Sequence, residues 1–279
     1  MINEIHENKI DLHNIILNIL IGLGIFFIIS IMYFPDEVRI FLNQDSSLNF
    51  FDEIGISTVK KLLPDDKTNE SKSYSNNIKL TLHKNIYDYF KNDAQRDIYY
   101  RGLDPLNSEE LYYQMYSTNI NDEYIIKNIV KQAKTDSIRF QNNHKGKSIE
   151  SRTAERLVSF VQLIPYDYFS GKHYKYPYEV LYLNTGDCDE KSILLSKLLK
   201  ELGYGVALFS FYDEEHMAVG IKCPLEKSNY YSGYCFIEST DVYTIGEIPE
   251  EYVGGGNMRT AIPSIIIINE SGLSYNNLK

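Results

Sequence analysis

Apolar residues come in two patterns along this chain. One recurs every three or four positions; the other forms short blocks rich in β-branched and aromatic residues. Ile125, Ile129, Val130 and Ala133 fall at helical spacing and predict a helix over 121–140, broken by Asn142-Asn143-His144-Lys145-Gly146. Ala154, Leu157, Val158, Val161 and Ile164 lie on or near one face of a second helix, 152–164. Ile193, Leu194, Leu195, Leu198, Leu199 and Leu202 line one face of a third, stopped by Gly203. The blocks read as strands: 78–82, 217–221 and 234–237, with a β-branched run at 263–268 as a final strand. Asp213-Glu214-Glu215 reads as a turn, and 224–233 as the loop of a hairpin. Helices together with an antiparallel strand pair predict the α+β class.

One apolar run stands apart. Residues 15–34 carry no charge, are interrupted only by Asn18 and Ser30, and have the length of a bilayer-spanning helix. Phe34-Pro35-Asp36 ends it abruptly. The preceding residues are acidic as well as basic and no small-x-small cleavage site follows, which argues against a signal peptide. The predicted organisation is a short tail (1–14), a transmembrane helix (15–34), a linker (35–77), a mostly helical N-terminal part of the soluble domain (78–148), and a core with a C-terminal strand (149–279). The linker is polar, with Pro64-Asp65-Asp66, a Ser/Asn/Lys-rich stretch at 68–77 and a short helical run at 59–63. The few charges flanking the span favour a cytoplasmic tail and an extracytoplasmic domain.

Charge and composition narrow the function. The net charge is −10 and the basic residues do not cluster, which argues against a nucleic-acid partner. No C-x-x-C, H-E-x-x-H or phosphate-binding glycine loop occurs; Gly254-Gly255-Gly256 reads as a flexible turn, so no metal or other cofactor is indicated. Cys223 and Cys235 flank the hairpin loop on opposite strands. They either pair as a disulfide, which implies an oxidising compartment, or stand as two buried thiols.

The third cysteine is the candidate nucleophile. In Gly186-Asp187-Cys188-Asp189-Glu190-Lys191-Ser192, Asp187 and Glu190 have capping-box spacing, which makes Cys188 the first residue of a helix. Free N–H groups and the positive end of the helix dipole favour its thiolate and are placed to hold an oxyanion. The acids Asp189 and Glu190 work against that. A base is needed, and His216 opens a buried strand one strand after this helix. His6, His13, His83, His144 and His173 sit in poorer contexts. Antiparallel return of the next strand brings Glu238 towards His216 to fix its tautomer, with Asp241 as the rival acid. Gln162, in the last apolar turn of its helix, either donates to an oxyanion or ties down a loop. Tyr166, Tyr168, Tyr174, Tyr176, Tyr178 and Tyr182 crowd the approach to Cys188, as a groove or as packing.

Several segments carry a resemblance in order: Phe160 to Tyr166, Tyr176 to Leu181, Gly186 to Leu199, Gly203 to Leu208, His216 to Gly220, Ile237 to Thr240 and Ile245 to Pro249. Over about 150–252 the chain resembles the transglutaminase-like superfamily of papain-like cysteine enzymes, most of all its microbial cysteine-peptidase branch. The resemblance implies a core in which a helix bearing the nucleophile packs on an antiparallel sheet. It makes Cys188 the nucleophile, His216 the base and Glu238 the third member, where most of the superfamily has Asp. It gives Gln162 an oxyanion-side role. The implied activity is acyl transfer from a protein or peptide substrate through a thioester, to water in a peptidase or amidase, or to an amine in a cross-linking transglutaminase. A membrane-tethered binding module, or a scaffold, without catalysis is the competing expectation.

Overall fold

In the computed structural model, residues 67, 69–92, 113, 116–117, 121–140, 146–169, 174–250 and 258–276 are described. The chain enters with strand β1 (Asn69–Ser73), antiparallel to β2 (Lys79–His83). This corrects the linker reading, which ran to residue 77. Asn69, Glu70, Ser71 and Ser73 are exposed, so β1 has no apolar alternation; its partner β2 supplies the buried Leu80 and Leu82.

Helix α1 (Lys84–Lys91) buries Ile86 and Phe90, one turn apart. Helix α2 (Glu123–Arg139) buries Ile125, Ile129 and Ala133. Helix α3 (Ile149–Gln162) starts three residues before the expected 152, because the Ser148 side chain accepts the N–H of Ser151 and caps it there. Helix α4 (Pro177–Leu183) opens on a proline and closes at Asn184, whose φ of 56° is left-handed.

Helix α5 (Cys188–Glu201) packs against α2, α3, α4 and two strands. Ile193, Leu194, Leu195, Leu198 and Leu199 are fully buried. Each contributes about 1.5–3 kcal/mol by leaving water. The expectation of a single apolar face is corrected: Lys191, Ser192, Ser196 and Lys197 are buried as well. Their polar atoms are matched inside the protein. Ser192 Oγ donates to Met217 O at 3.2 Å and meets Ser239 Oγ at 2.9 Å, and Lys197 pairs with Asp122.

Strands β3 (Val206–Phe211), β4 (His216–Lys222), β5 (Tyr234–Ile237) and β6 (Ser264–Asn269) form an antiparallel sheet in the order β5-β4-β3-β6. Val206, Leu208, Val219, Ile221 and Ile237 join the core shared with the helices. Ala207, Phe209, Phe211, Ala218, Tyr234 and Phe236 form a second cluster with Met258. Burial in both clusters is why these strands read as continuous apolar blocks.

The structure bonds Cys223 to Cys235 across the β4–β5 connection, 12 residues apart. Closing a loop of that length removes unfolded-state entropy worth about 3 kcal/mol. Replacing both cysteines with alanine is expected to lower the urea-unfolding free energy by about that amount; a loss below about 1 kcal/mol would show that the hairpin holds without the bond.

The predicted transmembrane helix, the tail before it and the 254–256 glycines lie outside the described residues, as do His6, His13, His144 and His173. Among the described residues no helix is long and apolar enough to cross a membrane.

Candidate active site

The site starts from a cap. Asp187 Oδ1 accepts the N–H of Glu190 at 3.0 Å, and Glu190 Oε2 accepts the N–H of Asp187 at 3.0 Å. This reciprocal box starts α5 at Cys188. The first helical N–H groups lack intrahelical acceptors by geometry, and among the described residues none takes those of Cys188 or Asp189. Gly186 is tightly placed: a Cβ there would lie 3.2 Å from Lys191 Cγ and 3.3 Å from Val180 Cγ1. Its N–H donates to Pro165 O and its carbonyl accepts from Asp167, which fixes the 165–167 segment beside the helix start.

Cys188 is buried and outside the disulfide. Its Sγ donates to Asp189 Oδ1 at 3.5 Å and lies 4.0 Å from Glu215 O. The Met217 N–H and the Tyr166 hydroxyl lie close enough to act on the sulfur electrostatically. Burial pushes the thiol up, and Asp189 and Asp187 push it further; the Met217 N–H opposes them. The helix start therefore does not lower the thiol by itself. Of the two acids suspected from the sequence, Asp189 acts on the sulfur. Glu190 is balanced by Lys175, whose Nζ lies 2.9 Å from Oε2 and 2.7 Å from Asp167 Oδ2.

His216 opens β4 directly after Glu215, whose carbonyl oxygen lies 4.0 Å from the sulfur. Its Nε2 meets Glu238 Oε2 at 2.9 Å, and both side chains are almost wholly buried. The sequence-based pairing of β4 with β5 is met: Val219 faces Ile237, which carries Glu238 back beside His216. Burial pushes the Glu238 carboxyl up. The His216 hydrogen bond and charge, with the N–H and hydroxyl of Thr240 on Oε1 at 2.8 and 2.7 Å, outweigh that and hold it below its usual value. Glu238 is therefore a carboxylate, and an acceptor on that side makes Nε2 the protonated nitrogen of the neutral ring.

The rival acid is elsewhere. Asp241 is exposed and accepts the N–H of Val242 at 2.6 Å. The oxyanion role of Gln162 is corrected too: Nε2 donates to Glu238 O and Tyr243 O, both at 2.9 Å. Both amide hydrogens hold carbonyls, so Gln162 ties down the loop after β5.

Lys191, absent from the sequence candidates, completes that tie. Its fully buried Nζ donates to Gln162 O (3.2 Å), Ile164 O (2.7 Å) and Thr240 O (3.4 Å). A basic residue one turn after Cys188 reads as a solvated charge in sequence; only the all-round burial of α5 reveals its task.

The tyrosines divide. Tyr166 is half-buried and near enough to Cys188 to interact with it electrostatically, and Tyr168 is exposed next to Tyr166. Tyr176, Tyr178 and Tyr182 are packing residues: Tyr176 stacks on Tyr116 and Tyr182 on Tyr87, while the Tyr178 hydroxyl accepts the His83 N–H. Tyr174 is half-buried against the core. Among the described residues no group of three or more His, Cys, Asp or Glu side chains is placed to hold a metal ion.

No family model, curated protein or solved structure matches the chain.

Proposed function

We propose that this chain is a membrane-anchored, transglutaminase-like cysteine enzyme in which Cys188, His216 and Glu238 transfer an acyl group through a thioester. The observation that carries the reading is the buried His216–Glu238 pair at 2.9 Å, with Glu215, the residue before His216, placing its carbonyl 4.0 Å from the only thiol outside the disulfide. Glu238 holds Nε2–H, so Nδ1 is the base. It takes the thiol proton, and the thiolate attacks the carbonyl carbon of a peptide or glutamine side chain. The N–H of Cys188 receives the developing oxyanion. Collapse expels the amine, protonated by His216, and leaves the thioester. Water, deprotonated by His216, then releases the acid and restores the thiol.

Hydrolysis of protein or cell-envelope peptides is the favoured outcome; an amine acceptor would make the same intermediate a cross-link. The 15–34 run anchors the enzyme, with no nucleic-acid partner and no cofactor. The Cys223–Cys235 bond favours an extracytoplasmic site.

The test treats the full chain in detergent with iodoacetamide or a peptide aldehyde. Modification mapped to Cys188, faster than for a free cysteine peptide at the same pH and lost in Cys188→Ala, supports the enzyme. Cys188 no more reactive than that peptide would leave a binding module or scaffold. Supplying a glutamine peptide with and without a primary amine then separates ammonia release alone from amine incorporation.

A further inference from the structure

Asp189 is the acid that the triad leaves unused, and it touches the reacting atom. Its Oδ1 accepts the Cys188 thiol at 3.5 Å and its Oδ2 accepts the Tyr113 hydroxyl at 3.4 Å. We propose that Asp189 is a proton gate on the nucleophile: as a carboxylate it takes the thiol hydrogen bond and keeps sulfur protonated, and as a carboxylic acid it donates to sulfur and favours the thiolate. The proposal rests on Cys188 being the nucleophile.

The surroundings favour such a switch. From its own helix start Asp189 faces Asp187, Cys188 and Glu190. From β4 it faces His216, and from outside the helix the hydroxyls of Tyr113 and, across the sulfur, Tyr166. The basic side chains nearby have other partners: His216 bonds Glu238, Lys175 bonds Glu190 and Asp167, and Lys191 holds backbone carbonyls. Asp189 is half-buried, which leaves it open to a proton from solvent; its burial, then Asp187, push the carboxyl up to about 7, against the Cys188 hydrogen bond and the His216 charge. One proton from solvent then reverses the hydrogen bond. Before it binds, S–H donates to the carboxylate. Afterwards the thiol proton passes to His216 Nδ1, and the Asp189 O–H donates to S⁻. No bond to carbon changes and nothing is oxidised or reduced.

The gate is open below about pH 7 and closes above it. At pH 8, one unit higher, about one Asp189 in ten stays protonated, so thiolate-dependent modification falls about tenfold from its open value. The test follows iodoacetamide modification of Cys188 in the full chain from pH 5 to 9. In the wild type the rate is expected to fall as pH rises through about 7. Asp189→Asn, which donates an N–H and carries no charge, is expected to abolish that fall and to react about tenfold faster than wild type at pH 8. Tyr113→Phe removes a donor from the carboxylate and is expected to move the fall to higher pH, a second readout if the asparagine variant does not fold. Reactive Cys188 with superimposable wild-type and variant profiles would overturn the gate alone. Cys188 with ordinary reactivity in every protein would overturn the enzyme reading and the gate with it.

Discussion

Replacing His216 with alanine is expected to slow acyl-enzyme formation by about 10³- to 10⁴-fold. The size of the loss follows from what surrounds the sulfur. Burial, Asp189 and Asp187 all hold Cys188 as a thiol, so little thiolate remains once the base is gone. A cysteine with a pKa already lowered by its helix would keep part of its reactivity; this one should not. The variant should also leave Glu238 without its ring partner, so the carboxylate moves up and its hold on the 238–240 turn rests on Thr240. Burst kinetics with a peptide thioester, beside iodoacetamide rates, measure the effect. A loss under about tenfold would remove His216 from the base position.

The second large effect concerns folding. Lys191→Met keeps the volume of the side chain and removes the buried ammonium, leaving the carbonyls of Gln162, Ile164 and Thr240 without that donor. Leaving buried polar partners unmatched predicts a loss of about 3–5 kcal/mol in urea unfolding. The effect has a pH signature. Burial pulls Lys191 down to about 8 from its usual 10.5, against the charges of Glu238 and Asp241. Between those values the unfolded chain binds more protons than the native one, so this group's contribution rises with pH. It is complete above 10.5 and lost as pH falls through 8. The difference between wild type and Lys191→Met should therefore widen from pH 8 towards 10.5, with alkaline effects common to both proteins cancelling. A gap that narrows over that range would mean that Lys191 is not held at a depressed pKa.

The antiparallel pairing of β4 with β5, the cap at Asp187 and the approach of Glu238 to His216 were legible in the sequence because each rests on local spacing. A capping box spans four residues, and a hairpin returns its ends together whatever its loop does. Gln162 was not settled, since the same buried amide fits an oxyanion and a loop, and only the carbonyls of Glu238 and Tyr243 decide between them. Lys191 was missed for the opposite reason: its partners lie 27 to 49 residues away, on segments whose approach to α5 no periodicity encodes. Strand β1 was hidden because an edge strand with exposed polar side chains has the composition of a linker.

The disulfide has a practical consequence for the bench. With Cys223 and Cys235 joined and no cysteine beyond these three in the chain, each molecule carries a single sulfhydryl, and it is the proposed nucleophile. Any chromogenic thiol reagent thus becomes an active-site titrant, reading one equivalent per competent chain without knowledge of the substrate. The same fact sets a handling conflict: a strong reductant that protects Cys188 from oxidation also cuts the bridge behind β4, so purification calls for exclusion of oxygen instead.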